Sequence, residues 1–105
     1  MTPTEFTQLV DTTLAQIEQA IEASDADIDF ETSAGILELE FSNGSKIIIN
    51  RQSASQELWV AAKSGGYHYV WKDDAWRNTR DGSELFAALS RDVSEQAGQT
   101  VEMKR

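Results

Sequence analysis

The 105-residue chain has no cysteine, which excludes disulfide frameworks, thiolate metal sites and cysteine nucleophiles and fits a reducing, cytoplasmic compartment. Its single histidine, His68, has no second histidine and no placeable serine beside it. Hydrolase chemistry therefore has no support, and His68 reads as a surface residue of a sheet rather than a ligand or base. No eighteen consecutive apolar residues occur, and the opening MTPTEFTQLV lacks a basic leader and an apolar core. Neither membrane insertion nor export is expected. The most uneven absence is positive charge: residues 1–45 contain ten Asp and Glu but no Lys or Arg, and all nine bases follow, among the other eight acids. Phosphate backbones and anionic membranes would be repelled by such a half, so nucleic acid and membrane are set aside as partners. Cations or a basic protein surface fit it.

What is present is enough for one modest core, since 40% of the residues are hydrophobic and three Trp and four Phe are among them. Residues 1–105 are accordingly read as a single domain. The opening PTEFTQLVDTTLAQIEQAIEA repeats apolar residues at 6, 9, 10, 14, 17 and 21, the spacing of an amphipathic helix, with Thr2 or Thr4 as cap and Pro3 in the first turn. At about 100° per residue, Asp11, Glu18 and Glu22 form a stripe beside the buried face.

After Ser24 the period becomes two. Ala26, Ile28 and Phe30 alternate with Asp25, Asp27, Asp29 and Glu31, which predicts a half-buried strand over 24–31. Further strands are expected at 36–41, 45–50, 58–62, 67–71 and 75–78, the first pair of these joined by an Asn43-Gly44 turn. A final helix over 83–97 presents Leu85, Phe86, Leu89 and Val93, with Asp81 or Ser83 as cap and Gly98 as stop. The fold class is α+β, a two-layer sandwich with two helices on one face of an antiparallel sheet of five to seven strands. If the Leu58 side of its strand is core, Trp59 stands on the uncovered face.

Carboxylates from a helix and the next strand, with no base between them, are the sharpest feature. The plainer reading is a solvated face, but like charges at close range destabilise a fold, and tolerated repulsion points to a ligand that relieves it. Carboxylate oxygens suit hard cations. Same-face neighbours on one strand stand about 6.5 to 7 Å apart, too wide to close around one ion, so weak, hydrated ions along a ridge are expected. Trp59, with Asn50, Arg51 and Gln52 on a neighbouring strand, forms a second candidate site of the kind protein interfaces enrich.

Two stretches, GSKIIINRQ at 44–52 and ELWVAAKSGGYHYVWKDDAWRNTRDG at 57–82, add to the acidic opening to make a pattern that resembles the bacterial frataxin family. Its most specific parts are Asn50 with Gln52, Trp59, the GGYH at 65–68, and Trp76 leading into DGSELF. The resemblance implies a frataxin-like sandwich that binds iron (Fe²⁺ or Fe³⁺) weakly, with other divalent cations able to substitute. The acids implied as metal ligands are Asp11, Glu18, Glu22, Asp25, Asp27, Asp29 and Glu31. It further implies a regulator of iron-sulfur cluster assembly, docking on a cysteine desulfurase, and on the cluster scaffold protein as a further candidate partner, through Glu18, Glu22, Asp25, Asp27, Asp29, Glu31, Asn50, Gln52 and Trp59. Braking of the desulfurase, a monomer without iron and oligomers with it are the corresponding expectations. No enzyme activity is expected. Two alternatives stay open: an iron donor with weak ferroxidase activity on the same acids, and a metal-independent interaction module using the exposed sheet face.

Overall fold

The computed structural model describes residues 1–104. Its elements are α1 (Pro3–Ala23), β1 (Ile28–Ser33), β2 (Ile36–Phe41), β3 (Lys46–Gln52), β4 (Glu57–Ala62), β5 (Gly65–Lys72), β6 (Ala75–Asn78) and α2 (Leu85–Ala97). The six strands form one sheet in the order β1 to β6, each antiparallel to its sequence neighbour. Both helices cover one face of it, as the apolar periods predict.

Local chemistry sets the ends of α1. The Glu5 N–H donates to the Thr2 hydroxyl at 3.1 Å while the Thr2 N–H donates to Glu5 Oε1 at 2.8 Å, a reciprocal cap that satisfies two donors the helix would otherwise leave free. These bonds, the backbone one foremost, hold the Glu5 carboxyl below its ordinary range. At the other end Ser24 turns extended and returns its N–H and hydroxyl to the Ile21 carbonyl at 3.1 and 2.7 Å. The expected strand over 24–31 therefore starts late. Residues 24–27 make the reversal, closed by a bond of 3.0 Å from the Ile28 N–H to the Ala26 carbonyl, and pairing begins only at Ile28.

The start of α2 also differs from expectation. Glu84 is the cap, its carboxylate accepting from the N–H groups of Phe86 and Ala87 at 2.6 and 3.2 Å. Asp81 instead closes the preceding turn on the N–H and hydroxyl of Ser83, which lowers its carboxyl from the usual value. Gly98 ends the helix in the left-handed conformation at φ 71°, as read from the sequence.

Phe6, Val10, Leu14, Ile17 and Ile21 of α1 and Leu85, Leu89 and Val93 of α2 pack against Leu37, Leu39, Ile47, Ile49, Leu58, Val60, Tyr69 and Trp76 of the sheet. Thr13 lies in the apolar stripe of α1 for a reason: its hydroxyl accepts the buried Trp76 indole N–H at 2.9 Å and donates to the Leu9 carbonyl at 2.8 Å. The only donor of the largest buried side chain is thereby satisfied.

Two polar residues of α2 tie loops to the core. Gln96, 6% exposed, accepts from the Lys63 N–H and donates to Ser45 Oγ and the Lys46 carbonyl, so one amide grips the β2–β3 and β4–β5 turns together. Asp92 accepts from the Ser64 hydroxyl at 3.2 Å. Burial, aided by the Asp92 carboxylate and opposed by a bond with Asn78, pushes the Tyr69 phenol up to about 12. The residues after α2, which the sequence presents only as a short tail, insert Val101 and Met103 into the core. Ser94 and Ser90, one helical turn apart, each bond both the N–H and the carbonyl of one of them.

Candidate cation site and docking face

Alternation along the strands sends one set of side chains to the helices and the other to the open face. The β1–β2 turn fixes which acids meet there. Ala34 and Gly35 both have positive φ, 51° and 79°, as a two-residue hairpin of the sheet's twist requires. The register that follows places Glu31 opposite Glu38 and Asp29 opposite Glu40. All four line one open depression on the uncovered face. Directly opposed side chains have Cβ atoms about 4.5 to 5.5 Å apart, closer than neighbours along a strand. Each facing pair can therefore share a cation that a single strand could not hold.

Glu38 and Glu40 were missing from the acids singled out in the sequence. The signal was there: counting outward from Ala34-Gly35 as a two-residue turn pairs 31 with 38 and 29 with 40. The cluster also has a base at its border, since Lys46, opposite Glu40, reaches Glu38 Oε1 at 3.4 Å.

The other acids are placed differently. Asp29 and Glu31 face away from the helices, whereas Thr32, of opposite parity, faces them and donates its hydroxyl to Glu18. Helix and strand carboxylates thus flank the edge strand β1 from its two sides rather than aligning on one surface. Glu18 is the acid that ties the helix to β1. Glu22, Asp25 and Asp27 are exposed around the α1–β1 reversal and, among the described residues, make no ion pair. Asp11 lies farther along α1, where Arg51 Nη1 stands 4.0 Å from its Oδ1. Base-free in sequence, the acidic half receives Lys46 and Arg51 from β3 once folded.

The Arg51 contact depends on glycine. A Cβ at Gly35 would lie 2.8 Å from the Arg51 Cζ, so the guanidinium crosses the hairpin turn only because nothing is there. The Arg51 N–H also donates to the Gly35 carbonyl at 2.9 Å.

Of the residues singled out for partner contact, Asn50, Gln52 and Trp59 share the open face with Asp29 and Glu31, whereas Glu18, Glu22, Asp25 and Asp27 do not lie on it. Asn50 lies directly opposite Trp59, and Trp59 opposite His68; Ile36, opposite Asn50, continues the row toward the acidic pairs. Gln52 stands one position along β3 on the same face, opposite Glu57. Ile36 and Trp59 are 42% and 36% exposed. The Trp59 indole is stacked on the His68 ring, centroids 4.4 Å apart and planes 6° from parallel, and its N–H donates to Glu57 Oε1 at 2.8 Å. An aromatic platform in a defined orientation therefore adjoins an acidic corner on one flat surface.

The donor set offers only oxygen and suits hard cations. Carboxylates are hard ligands, yet among the described residues no three His, Cys, Asp or Glu side chains are grouped to hold a metal ion. Such a surface can hold a hydrated ion through one facing pair.

The comparisons with known proteins identify the family. A family model described as a frataxin-like domain matches residues 1–99. The iron-sulfur cluster assembly protein CyaY of Paraburkholderia phymatum is 50% identical over 103 residues, covering 98% of this chain and 98% of its own length. The CyaY of Dechloromonas aromatica is 48% identical over 105 residues, covering 99% and 100%. Among solved structures, frataxin from Psychromonas ingrahamii has a TM-score of 0.93 and 37% identity with full coverage of both chains. Trimeric frataxin from the yeast Saccharomyces cerevisiae, in a ferrous complex, has a TM-score of 0.70 and 26% identity, covering 90% of this chain and 87% of that one. The chain belongs to the frataxin family.

Proposed function

We propose that this protein is a cytoplasmic regulator of iron-sulfur cluster assembly that binds Fe²⁺ or Fe³⁺ weakly at its acidic edge and docks on the basic surface of a cysteine desulfurase, slowing it. The observation that carries the reading is the single open face on which Asp29, Glu31, Glu38 and Glu40 adjoin the row of Asn50, Trp59 and His68. Its supports are the names of the CyaY relatives, which place them in cluster assembly, and the ferrous complex of the yeast relative.

Iron is the cargo here. Asp29 with Glu40, and Glu31 with Glu38, would hold it on the sheet face, and Glu18, Glu22, Asp25 and Asp27 would add field and contact points around the β1 edge. Asp11 contributes least because Arg51 offsets it. A partner's basic residues compete for the same carboxylates, which couples iron level to docking by electrostatics alone. Both interactions weaken as salt rises, because exposed charges are screened over about 8 Å at physiological ionic strength. Iron loading, by neutralising the edge, would remove the repulsion between copies and permit oligomers of a chain that is otherwise monomeric.

The test is a titration of isotopically labelled protein with Fe²⁺ and then with the desulfurase. Amide signals of 29–31 and 38–40 respond to iron, and those of 50, 52 and 59 join them on adding the enzyme. Lysine at Asp25, Asp27 and Asp29 together lowers desulfurase affinity more than alanine does; unchanged calorimetric binding after all three reversals would sink the docking model. The exposed Trp59 and Ile36 favour a second reading, a metal-independent module on the same face, which is the answer if iron leaves every amide unmoved. Oxygen uptake on adding Fe²⁺, lost on mutating the edge acids, would indicate ferroxidase activity instead.

A further inference from the structure

We propose that Glu57 and His68 form a second cation site on the open face, apart from the acidic edge and suited to a four-coordinate transition ion such as Zn²⁺ or Co²⁺. Glu57 on β4 and His68 on β5 are diagonal neighbours across the pair Trp59–His68, on the same side of the sheet. His68 Nδ1 and Glu57 Oε1 are 3.7 Å apart. That gap is wider than a hydrogen bond, which spans about 2.7 to 3.2 Å. Two donors each about 2.1 Å from a tetrahedral ion lie about 3.4 Å apart, so a slight side-chain rotation suffices to bridge them through a metal.

Both donors are held in place by one residue. The Trp59 ring stacks on the imidazole at 4.4 Å and 6°, which fixes its plane, and the Trp59 indole N–H fixes Glu57 Oε1 at 2.8 Å. Outer contacts that orient ligands in this way are what raise metal affinity at exposed sites. The space for the remaining ligands is open. His68 is itself half exposed, with a side-chain accessibility of 50%.

The donor chemistry separates this site from the edge. Imidazole nitrogen favours Zn²⁺, Co²⁺ and Cu²⁺ over Mg²⁺ and Ca²⁺, whereas the β1–β2 depression offers only oxygen. An ion at Glu57 and His68 would set positive charge beside Trp59, at the centre of the docking face.

The test titrates the intact protein with Co²⁺ alone and reads tryptophan fluorescence together with the visible absorption of tetrahedral cobalt. The expected result is saturable quenching with a cobalt band, displaced by Zn²⁺ but not by equal Mg²⁺. His68→Gln abolishes both signals and Glu57→Gln weakens binding about tenfold or more. The edge variant Asp29→Asn with Glu40→Gln keeps them, whereas it would lose the iron response of the proposed function, so the two readings fail separately. Quenching that persists in His68→Gln, disappears in the edge variant, or yields to Mg²⁺ overturns the proposal. Circular dichroism checks that each variant folds; Glu57→Gln alone retaining full affinity would likewise exclude the bridged site.

Discussion

The two faces of the sheet are made from alternate residues of the same strands and behave as different materials. On the covered face Leu37, Leu39, Ile47, Ile49 and Leu58 are 0% exposed, and Trp76 is 1% exposed with its N–H bonded to Thr13. On the open face Trp59 keeps its N–H bonded as well, but to Glu57, with 36% of its surface in water. The same side chain is thus a keystone of packing in one place and a presented platform in the other. The covered face holds the fold, while the open face gathers opposed acids, the exposed Trp59 and the sole histidine at little cost to it.

Replacing the two tryptophans tests that division most sharply. Trp76→Ala should destabilise by about 3 to 5 kcal/mol, as removal of a fully buried ring does. Trp59→Ala should change stability by only about 0.5 kcal/mol, as at other surface positions, yet weaken desulfurase docking. Denaturant midpoints and calorimetry read both. Comparable losses of stability in the two variants would erase the distinction.

The C-terminal segment belongs to the covered side by the same criterion. Met103, 3% exposed and clipped to Ser90, should cost about 2 to 3 kcal/mol when cut to alanine, measured by urea unfolding. A negligible change would mean that the tail merely rests on the helices.

Alkali offers a third discrimination. An unfolded tyrosine ionises near 10, while folding holds Tyr69 up to about 12. The unfolded chain therefore loses its proton first. This contribution to stability is fully present below about pH 10 and is lost as pH rises toward 12. Tyr69→Phe should flatten that limb of the stability curve, and phenolate absorbance should show Tyr69 ionising near pH 12 in the folded protein rather than near 10.

The smallest effect belongs to the open face. Glu31→Lys, opposite Glu38, replaces a like-charge pair with an opposite one and should stabilise by about 0.2 to 1 kcal/mol. The same change should weaken iron binding, so stability and cation affinity move in opposite directions. A variant that loses both would show that Glu31 has a structural role.

The chain order, the sandwich and the outward Trp59 were legible from periodicity, because burial on one face imposes a period of 3.6 on helices and 2 on strands. Boundaries were less so. The reversal at 24–27 and the Glu84 cap depend on which of several neighbouring polar groups reaches a free N–H or carbonyl, and Asp81, Ser83 and Glu84 are all chemically able. The tail looked like a loose end because two apolar residues in five carry no period strong enough to read.

The acidic half of the chain, its lack of lysine and arginine and its fitness for hard cations were determined by composition and hold whatever the fold. Which carboxylates meet was not, because proximity across strands is a property of register. The Ala34-Gly35 turn brings Glu38 and Glu40 against β1, β3 returns Arg51 to Asp11, and the pleat sends Asp29 and Glu31 away from Glu18. Charge is additive along a sequence, but the field a cation meets falls with distance, and only the folded chain sets those distances.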